Sequence, residues 1–242
     1  MCLQPRSLGI FRPGGYGDHV LVPHPRYLVP LAGLSPAEAA PYACSGITTF
    51  GALRKLGPIV ETQPIVVMGA GGLGLMCLTL LKATGGKGAI VVDIDPKKRE
   101  AALRAGALAA IDGAAADAAR QISAAAGGPI LGAIDYVGAG ATVRLGLDLL
   151  AKGGKLVIVG LFGGEITLPI PPIAMRAITI QGSYVGSLRE LTELIALVAR
   201  TKAERIPITI RPFADASAAL DDLRAGRAIG RYVLSPAAGT AA

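Results

Sequence analysis

No tryptophan occurs in this 242-residue sequence, aromatic residues make up 4% of it, and it has two histidines and three cysteines. Each shortage excludes something. Cys2, Cys44 and Cys77 are odd in number and far apart. They form no disulfide framework and fit a reducing compartment. The opening MCLQPRSLGIFRPGG lacks an apolar signal core, so no secretion signal is read and a cytoplasmic location is expected. The formal net charge is +7, but Lys and Arg are scattered, and no aromatic residue is interleaved with the densest run, Lys97-Lys98-Arg99. Solvated helix faces explain that pattern better than a nucleic-acid partner, while a small anionic ligand such as a cofactor phosphate stays open. Thr62 to Leu81 is 20 residues without a charge, long enough to span a bilayer. Pro64 and a cluster of four glycines interrupt it. A strand, a glycine turn and a helix are therefore expected there, not a membrane span.

What is present is apolar and small. Hydrophobic residues are 52% of the chain and glycines number 33. This supports a substantial core, close helix-on-sheet packing, and one large domain or one domain plus part of another. The tail Pro236 to Ala242 reads as disordered.

Residues 16–32 read as a short extended region broken by prolines. SPAEAA, Ser35 to Ala40, predicts a helix start with Ser35 as N-cap, Pro36 at the first position and Glu38 three residues on. Apolar and small residues continue that helical region to about Leu56. An alternation follows. Strands are predicted at Ile65–Gly69, Ala89–Ile94, Ala109–Asp112, Gly132–Gly138, Gly154–Gly160 and Ile178–Gly186. A helix is predicted after each except Gly154–Gly160, which a Pro-rich loop follows; the last helix is SLRELTELIALVART. The strands are continuous apolar runs, as expected when both faces are covered. Repeated strand–helix units of this length predict an α/β fold with a doubly wound parallel sheet. IPITIRPF and GRYVL read as further strands around the helix ADASAALDDLRAG. With residues 1–45 they are expected to form a second body beside the sheet.

Gly69-Ala70-Gly71-Gly72-Leu73-Gly74 follows a buried strand and opens a helix, the context that gives a G-x-G-x-x-G pattern meaning. Gly69 permits the tight turn, Gly71 lets backbone approach a pyrophosphate, and Gly74 lets the helix lie near the strand. Free N–H groups at the helix start, including those of Gly72 and Leu73, then hold the anion. The competing reading is a turn used only for packing. Asp93 closes the second strand, 24 residues after Gly69. A carboxylate there accepts from ribose hydroxyls and repels a 2′-phosphate, which favours NAD over NADP. Lys97, Lys98 and Arg99 weigh the other way, because a cation there could meet a phosphate. Asp95 reads as the cap of the next helix. A methyltransferase also uses a glycine-rich loop and an acid after the second strand, but six strands and a full three-glycine loop favour the dinucleotide. Val137-Gly138, Val159-Gly160-Leu161 and Tyr184-Val185-Gly186 supply further contacts at the carboxyl edge.

Taken in order, GGYGDHVLVP, AAPYACSGITTFGAL, VVMGAGGLGLMCLTLLKATG, VVDIDPKKREAALRAGA, IDYVGA, LAKGGKLVIVG and GRYVL resemble the zinc-type medium-chain alcohol dehydrogenases, from about Cys2 to Leu234. The resemblance implies a dinucleotide-binding domain over 46–187. It assigns 1–45 to an incomplete catalytic (GroES-like) domain and 188–242 to a helix and the return to it. It implies that Cys44 is a ligand of the catalytic zinc, that Thr48 packs near the nicotinamide, and that Lys98 and Arg231 lie near the adenosine ribose and the pyrophosphate. Cys2 matches the last of four structural-zinc cysteines. Without the resemblance, Cys44 reads as a small buried residue; Cys77 reads as core. Members of that family carry a preceding portion with the remaining zinc ligands and proton-relay residues, so this chain is expected to correspond to the last two-thirds. Catalytic zinc needs three protein ligands, and His19 and His24 sit in ordinary scaffold. The implied function is NAD(H) binding and hydride transfer between an alcohol and an aldehyde or ketone, with little or no activity from this chain. The alternatives are a zinc-independent quinone-reductase-like oxidoreductase and a non-catalytic nucleotide-binding fragment. Pairing as a homodimer or homotetramer is implied near Ile173 to Ser183.

Overall fold

The structure, a computed structural model, describes residues 4, 6–201 and 203–236. Three helices precede the main sheet: α1 (Pro36–Ala39), α2 (Ser45–Leu56) and α3 (Ile59–Thr62). Then strands and crossovers alternate through β1 (Ile65–Met68), α4 (Gly72–Ala83), β2 (Ala89–Asp93), α5 (Pro96–Arg104), β3 (Ala109–Asp112) and α6 (Ala118–Ala126). The second half runs through β4 (Ile130–Asp135), α7 (Gly140–Leu149), β5 (Leu150–Ile158), α8 (Ile170–Met175) and β6 (Thr179–Gly182). Next come α9 (Leu188–Thr201), β7 (Ile208–Pro212), α10 (Ala216–Arg224) and β8 (Arg231–Ser235). The six strands β1 to β6 form one parallel sheet in the order β3-β2-β1-β4-β5-β6, and β7 pairs with β8 in a separate parallel pair.

The apolar runs are explained by the packing. Successive side chains of a strand point to opposite faces, and here both faces are covered. In β1, Ile65 and Val67 join a core with Leu53 and Leu56 of α2, Leu75 and Leu80 of α4 and Leu194 of α9. Val66 and Met68 join a second core with Ile122 of α6 and Val143 and Leu147 of α7. Each such fully buried leucine or isoleucine contributes about 1.5–3 kcal/mol. Side-chain caps open α1, α5 and α9. Ser35 and Glu38 make a reciprocal capping box at α1, and Ser187 and Glu190 make the same exchange at α9. Asp95 caps α5, accepting from Lys97 N at 2.8 Å.

Several boundaries differ from the sequence reading. The helical region expected from Ser35 to Leu56 is broken: Ala40–Ala43 is a 3-10 turn, and Cys44 sits at φ −126°, ψ −76° before α2 begins. Pro41 lacks an N–H to continue α1, which is the physical reason. The sixth strand covers only Thr179–Gly182, because Val185 turns out of the sheet at φ +48°. The fourth spans Ile130–Asp135 instead of Gly132–Gly138, since the chain bends at Gly138 (φ +72°). Residues 16–32 form loops around a 3-10 turn at Pro25–Tyr27. The tail expected to be disordered lies, beyond Pro236, outside the described residues. No helix among the described residues is long and apolar enough to cross a membrane.

Candidate functional site

In an open parallel sheet, ligands bind beyond the carboxyl ends of the strands, where the winding reverses. Here that point lies between β1 and β4. A cavity of about 510 Å³ opens there, lined by Gly69, Asp93, Ile94, Val137, Thr142 and Phe162 among others.

The glycine loop forms one wall. Gly69 leaves β1 at φ +93°. A Cβ at Gly74 would sit 2.0 Å from Gly69 O, so only glycine lets α4 start this close to the strand. Gly71 occupies the N-cap of α4 with no side chain capping it, and the space a Cβ would fill there is open. The first amides of the helix are thus available to an anion. Asp93 faces this loop. Its Oδ2 accepts from Ala70 N at 2.7 Å and its Oδ1 from Asp95 N at 2.9 Å. An ionised carboxylate has about four acceptor sites, so two stay open for ligand hydroxyls.

Arg231 reaches the helix start from β8. A Cβ on Gly72 would lie 2.4 Å from Arg231 Nε, and that Nε is buried without a hydrogen-bond partner. A buried donor left unpaired is costly. The uncapped amides of α4 and this orphaned guanidinium nitrogen fit a diphosphate between them.

The opposite wall is an interlock of the loops after β4 and β5. A Cβ on Gly138 would sit 2.0 Å from Gly160 O, and one on Gly160 2.0 Å from Val137 C. Val159 N and Gly160 N both donate to Asp135 O, and Phe162 N donates to Val137 O. Beneath the interlock Asp135 is fully buried. Its Oδ1 accepts from Val137 N at 2.8 Å and Gly138 N at 3.0 Å, and its Oδ2 accepts from the Thr142 hydroxyl at 2.7 Å. Sequence reasoning missed Asp135 and Thr142. An aspartate at a strand end, three residues before a glycine, is a turn-forming signal that could have found the first.

The remaining expected residues are spread around this crevice. Leu161 is exposed beside Phe162, and Lys98 is half-buried on α5. Tyr184 and Val185 lie over α2, where Val185 O would be 3.4 Å from a Cβ on Gly51. Neither they, Lys98, Thr48 nor Cys44 lines the cavity. Thr48 is buried in the first turn of α2, its N–H donating to Cys44 O at 3.1 Å. Cys77 is buried in α4, as its apolar setting suggested. Burial pushes its thiol up to about 12, with the Tyr136 hydroxyl beside it acting in the opposite direction. Cys44, expected from its setting alone to be buried, is exposed. Among the described residues no three His, Cys, Asp or Glu side chains converge on a metal position. The described side chains therefore do not compose a zinc site. Cys2 lies outside the described residues.

A parallel sheet wound in this order, with a bare helix start at its switch point, is the Rossmann class of fold. Residues 72–200 match the family model described as zinc-binding dehydrogenase. An NAD-dependent alcohol dehydrogenase of Sulfurisphaera tokodaii is 37% identical over 238 residues, covering 98% of this chain and 68% of that protein. A D-arabinose 1-dehydrogenase (NADP(+)) of Saccharolobus solfataricus is 33% identical over 228 residues, 92% of this chain and 64% of that protein. The crystal structure of the alcohol dehydrogenase of Aeropyrum pernix superposes with a TM-score of 0.74 at 33% identity, covering 82% of this chain and 58% of that one. The chain belongs to the zinc-type medium-chain alcohol dehydrogenase family. It spans about two thirds of the length of these curated relatives.

Proposed function

We propose that the crevice binds NAD(H), and that the chain is the cofactor-binding part of an alcohol dehydrogenase acting on small alcohols and their carbonyl products. The orphaned Arg231 Nε above the uncapped start of α4 carries the reading. A diphosphate supplies the acceptor that this nitrogen lacks and neutralises the positive end of the helix. Asp93 accepts from the adenosine ribose hydroxyls, and the apolar cavity beside it takes the adenine. The loops after β4, β5 and β6, with Thr48 behind them, position the second nucleotide half, and Lys98 flanks the ribose from α5. When bound, the nicotinamide supplies hydride chemistry; the chain supplies the binding and orientation.

The resemblance gives Cys44 a zinc-ligand role, but Cys44 stands alone among the described residues. The 242-residue chain by itself is therefore expected to bind cofactor with little or no alcohol-dependent turnover. An exposed edge strand, β6, with Ile180 at its surface and Met175 exposed at the end of the preceding α8, supports pairing of subunits along that edge. Titration calorimetry with NADH on folded protein tests the first part, and absence of binding overturns it. Strong alcohol-dependent NADH formation by the same sample overturns the second. A zinc-independent reductase would show instead as carbonyl reduction in metal-free protein.

A further inference from the structure

The ends of β2 and β3 carry two aspartates in register: Asp93 is the partner of Asp112 in the parallel ladder. Arg99, on the second turn of α5, lies across both. Its Nη1 donates to Asp93 O and to Ile94 O, each at 2.9 Å. Its Nη2 makes an ion pair with Asp112 Oδ2 at 3.3 Å. Asp112 itself is oriented by its other oxygen, which accepts from Ala114 N at 2.9 Å. The Arg99 side chain is four-fifths buried, whereas the Asp112 side chain is 41% exposed. The residue after Asp112, Gly113, lines the large cavity together with Asp93 and Ile94. Arg99, bonded to the carbonyls of two residues that line that cavity, is thus folded back onto strand ends, with both hydrogens of one nitrogen spent on carbonyls.

We propose that Asp112 determines the choice between NAD and NADP, by tethering Arg99 away from the ribose. This rests on the reading of the crevice as a dinucleotide site. An arginine beside the ribose accommodates a 2′-phosphate, and a carboxylate at that place rejects it. The trio Asp93, Asp112 and Arg99 sums to one negative charge, with the guanidinium committed. A 2′-hydroxyl finds open acceptor sites on Asp93, while a 2′-phosphate finds two carboxylates and no free arginine. Neutralising Asp112 removes one repelling charge and one of the contacts holding Arg99, whose planar fork suits a phosphate. Asp112 is a positioning residue here, acting through Arg99.

The test uses the whole chain and four proteins: wild type, D112N, R99Q and the double variant. D112N keeps the oxygen that accepts from Ala114 N, so the β3 end keeps its turn. Dissociation constants for NAD and NADP are measured by calorimetry, after thermal melts show each variant folded. D112N is expected to shift the NADP-to-NAD affinity ratio toward NADP by about tenfold, the size of one charge-assisted hydrogen bond. R99Q is expected to stay near the wild-type ratio, and the double variant to return to it. The proposal is overturned if D112N leaves the ratio in place, or if the double variant keeps the gain, which would assign the effect to the Asp112 carboxylate itself and not to Arg99. It is also overturned if R99Q lowers the NADP-to-NAD ratio as far as D112N raises it, because summed charge, or an Arg99 already on the phosphate, would then account for both. Wild type that binds NAD while the ratios fail to move sinks this inference only. Wild type that binds neither nucleotide sinks the site reading with it.

Discussion

Replacing Asp135 tests whether the loops at the strand ends are held by the buried carboxylate beneath them. In D135A three hydrogen bonds disappear: those from Val137 N, Gly138 N and the Thr142 hydroxyl. The hydroxyl has an alternative, since Ala139 O lies 3.0 Å away. The two amides lose their acceptor. Each stranded buried N–H costs about 1–3 kcal/mol, giving about 2–6 kcal/mol before relaxation. Water entering the vacated space brings the expected loss to about 3 kcal/mol. D135N keeps one oxygen for both amides and turns an amide donor toward a hydroxyl that must then accept, so its expected cost is about 1 kcal/mol. Urea unfolding followed by circular dichroism reads both values, with an unchanged denaturant slope confirming that stability alone has moved. NADH affinity is measured alongside and should fall in D135A about tenfold, a shift equal to about 1.4 kcal/mol, because Val137 lines the cavity. The reasoning fails if D135A unfolds within about 0.5 kcal/mol of wild type, the range of ordinary surface changes. It also fails if asparagine costs as much as alanine.

Further outcomes are expected. Gly160→Ala forces a Cβ to within 2.0 Å of Val137 C and should cost at least about 1–3 kcal/mol by thermal denaturation, as overpacking does. Gly128→Ala, with open space and no positive φ, should be neutral or stabilising by about 0.4–1 kcal/mol; equal losses at the two positions would refute the close-approach argument. Arg231→Gln should weaken NADH binding about tenfold and flatten its salt dependence, and an unchanged affinity would remove Arg231 from the site. Alkylation at neutral pH followed by peptide mass mapping should label Cys44 and spare Cys77 until the protein unfolds. The Cys77 thiol is raised from 9.0 to about 12, so the native state holds that proton more tightly than the unfolded chain. Its contribution to stability is complete below about pH 9 and declines as pH rises toward about 12. C77A should lessen that decline, and an identical pH profile would contradict the burial.

How much of this was legible beforehand depends on the distance over which each signal acts. The sheet was readable because a strand buried on both faces must be apolar throughout, and Ile65 to Met68 satisfy that locally. The caps at Ser35 and Asp95 are likewise contained in four residues. The break at Ala40–Ala43 was also local, since Pro41 announces it, but the run of small residues on both sides masked it. Asp135 was passed over because an aspartate closing an apolar strand has many uses, and only the path of the next seven residues selects one. Arg99 and Asp112 were beyond local reading: their contact depends on how β2 registers against β3. Arg231 meets Gly72 only after the chain has gone out through β7 and returned, so its place came from family resemblance and not from any periodicity.

The two halves of the crevice are held by different physics, and this bears on how the site can change. The half after β4 and β5 rests on backbone approaches that admit only glycine at 138 and 160, and on a carboxylate with no exposure. Almost any substitution there costs stability, so that wall is fixed by the fold. The half after β2 and β3 rests on a partly exposed ion pair, a kind of contact contributing about 0–1 kcal/mol. On the proposed reading, side chains at 99 and 112 can therefore vary with little effect on folding while altering whether a 2′-phosphate is accepted. If the crevice holds a dinucleotide as proposed, clamping it and choosing between its two forms are separable, and cofactor preference can shift without rebuilding the wall after β4 and β5.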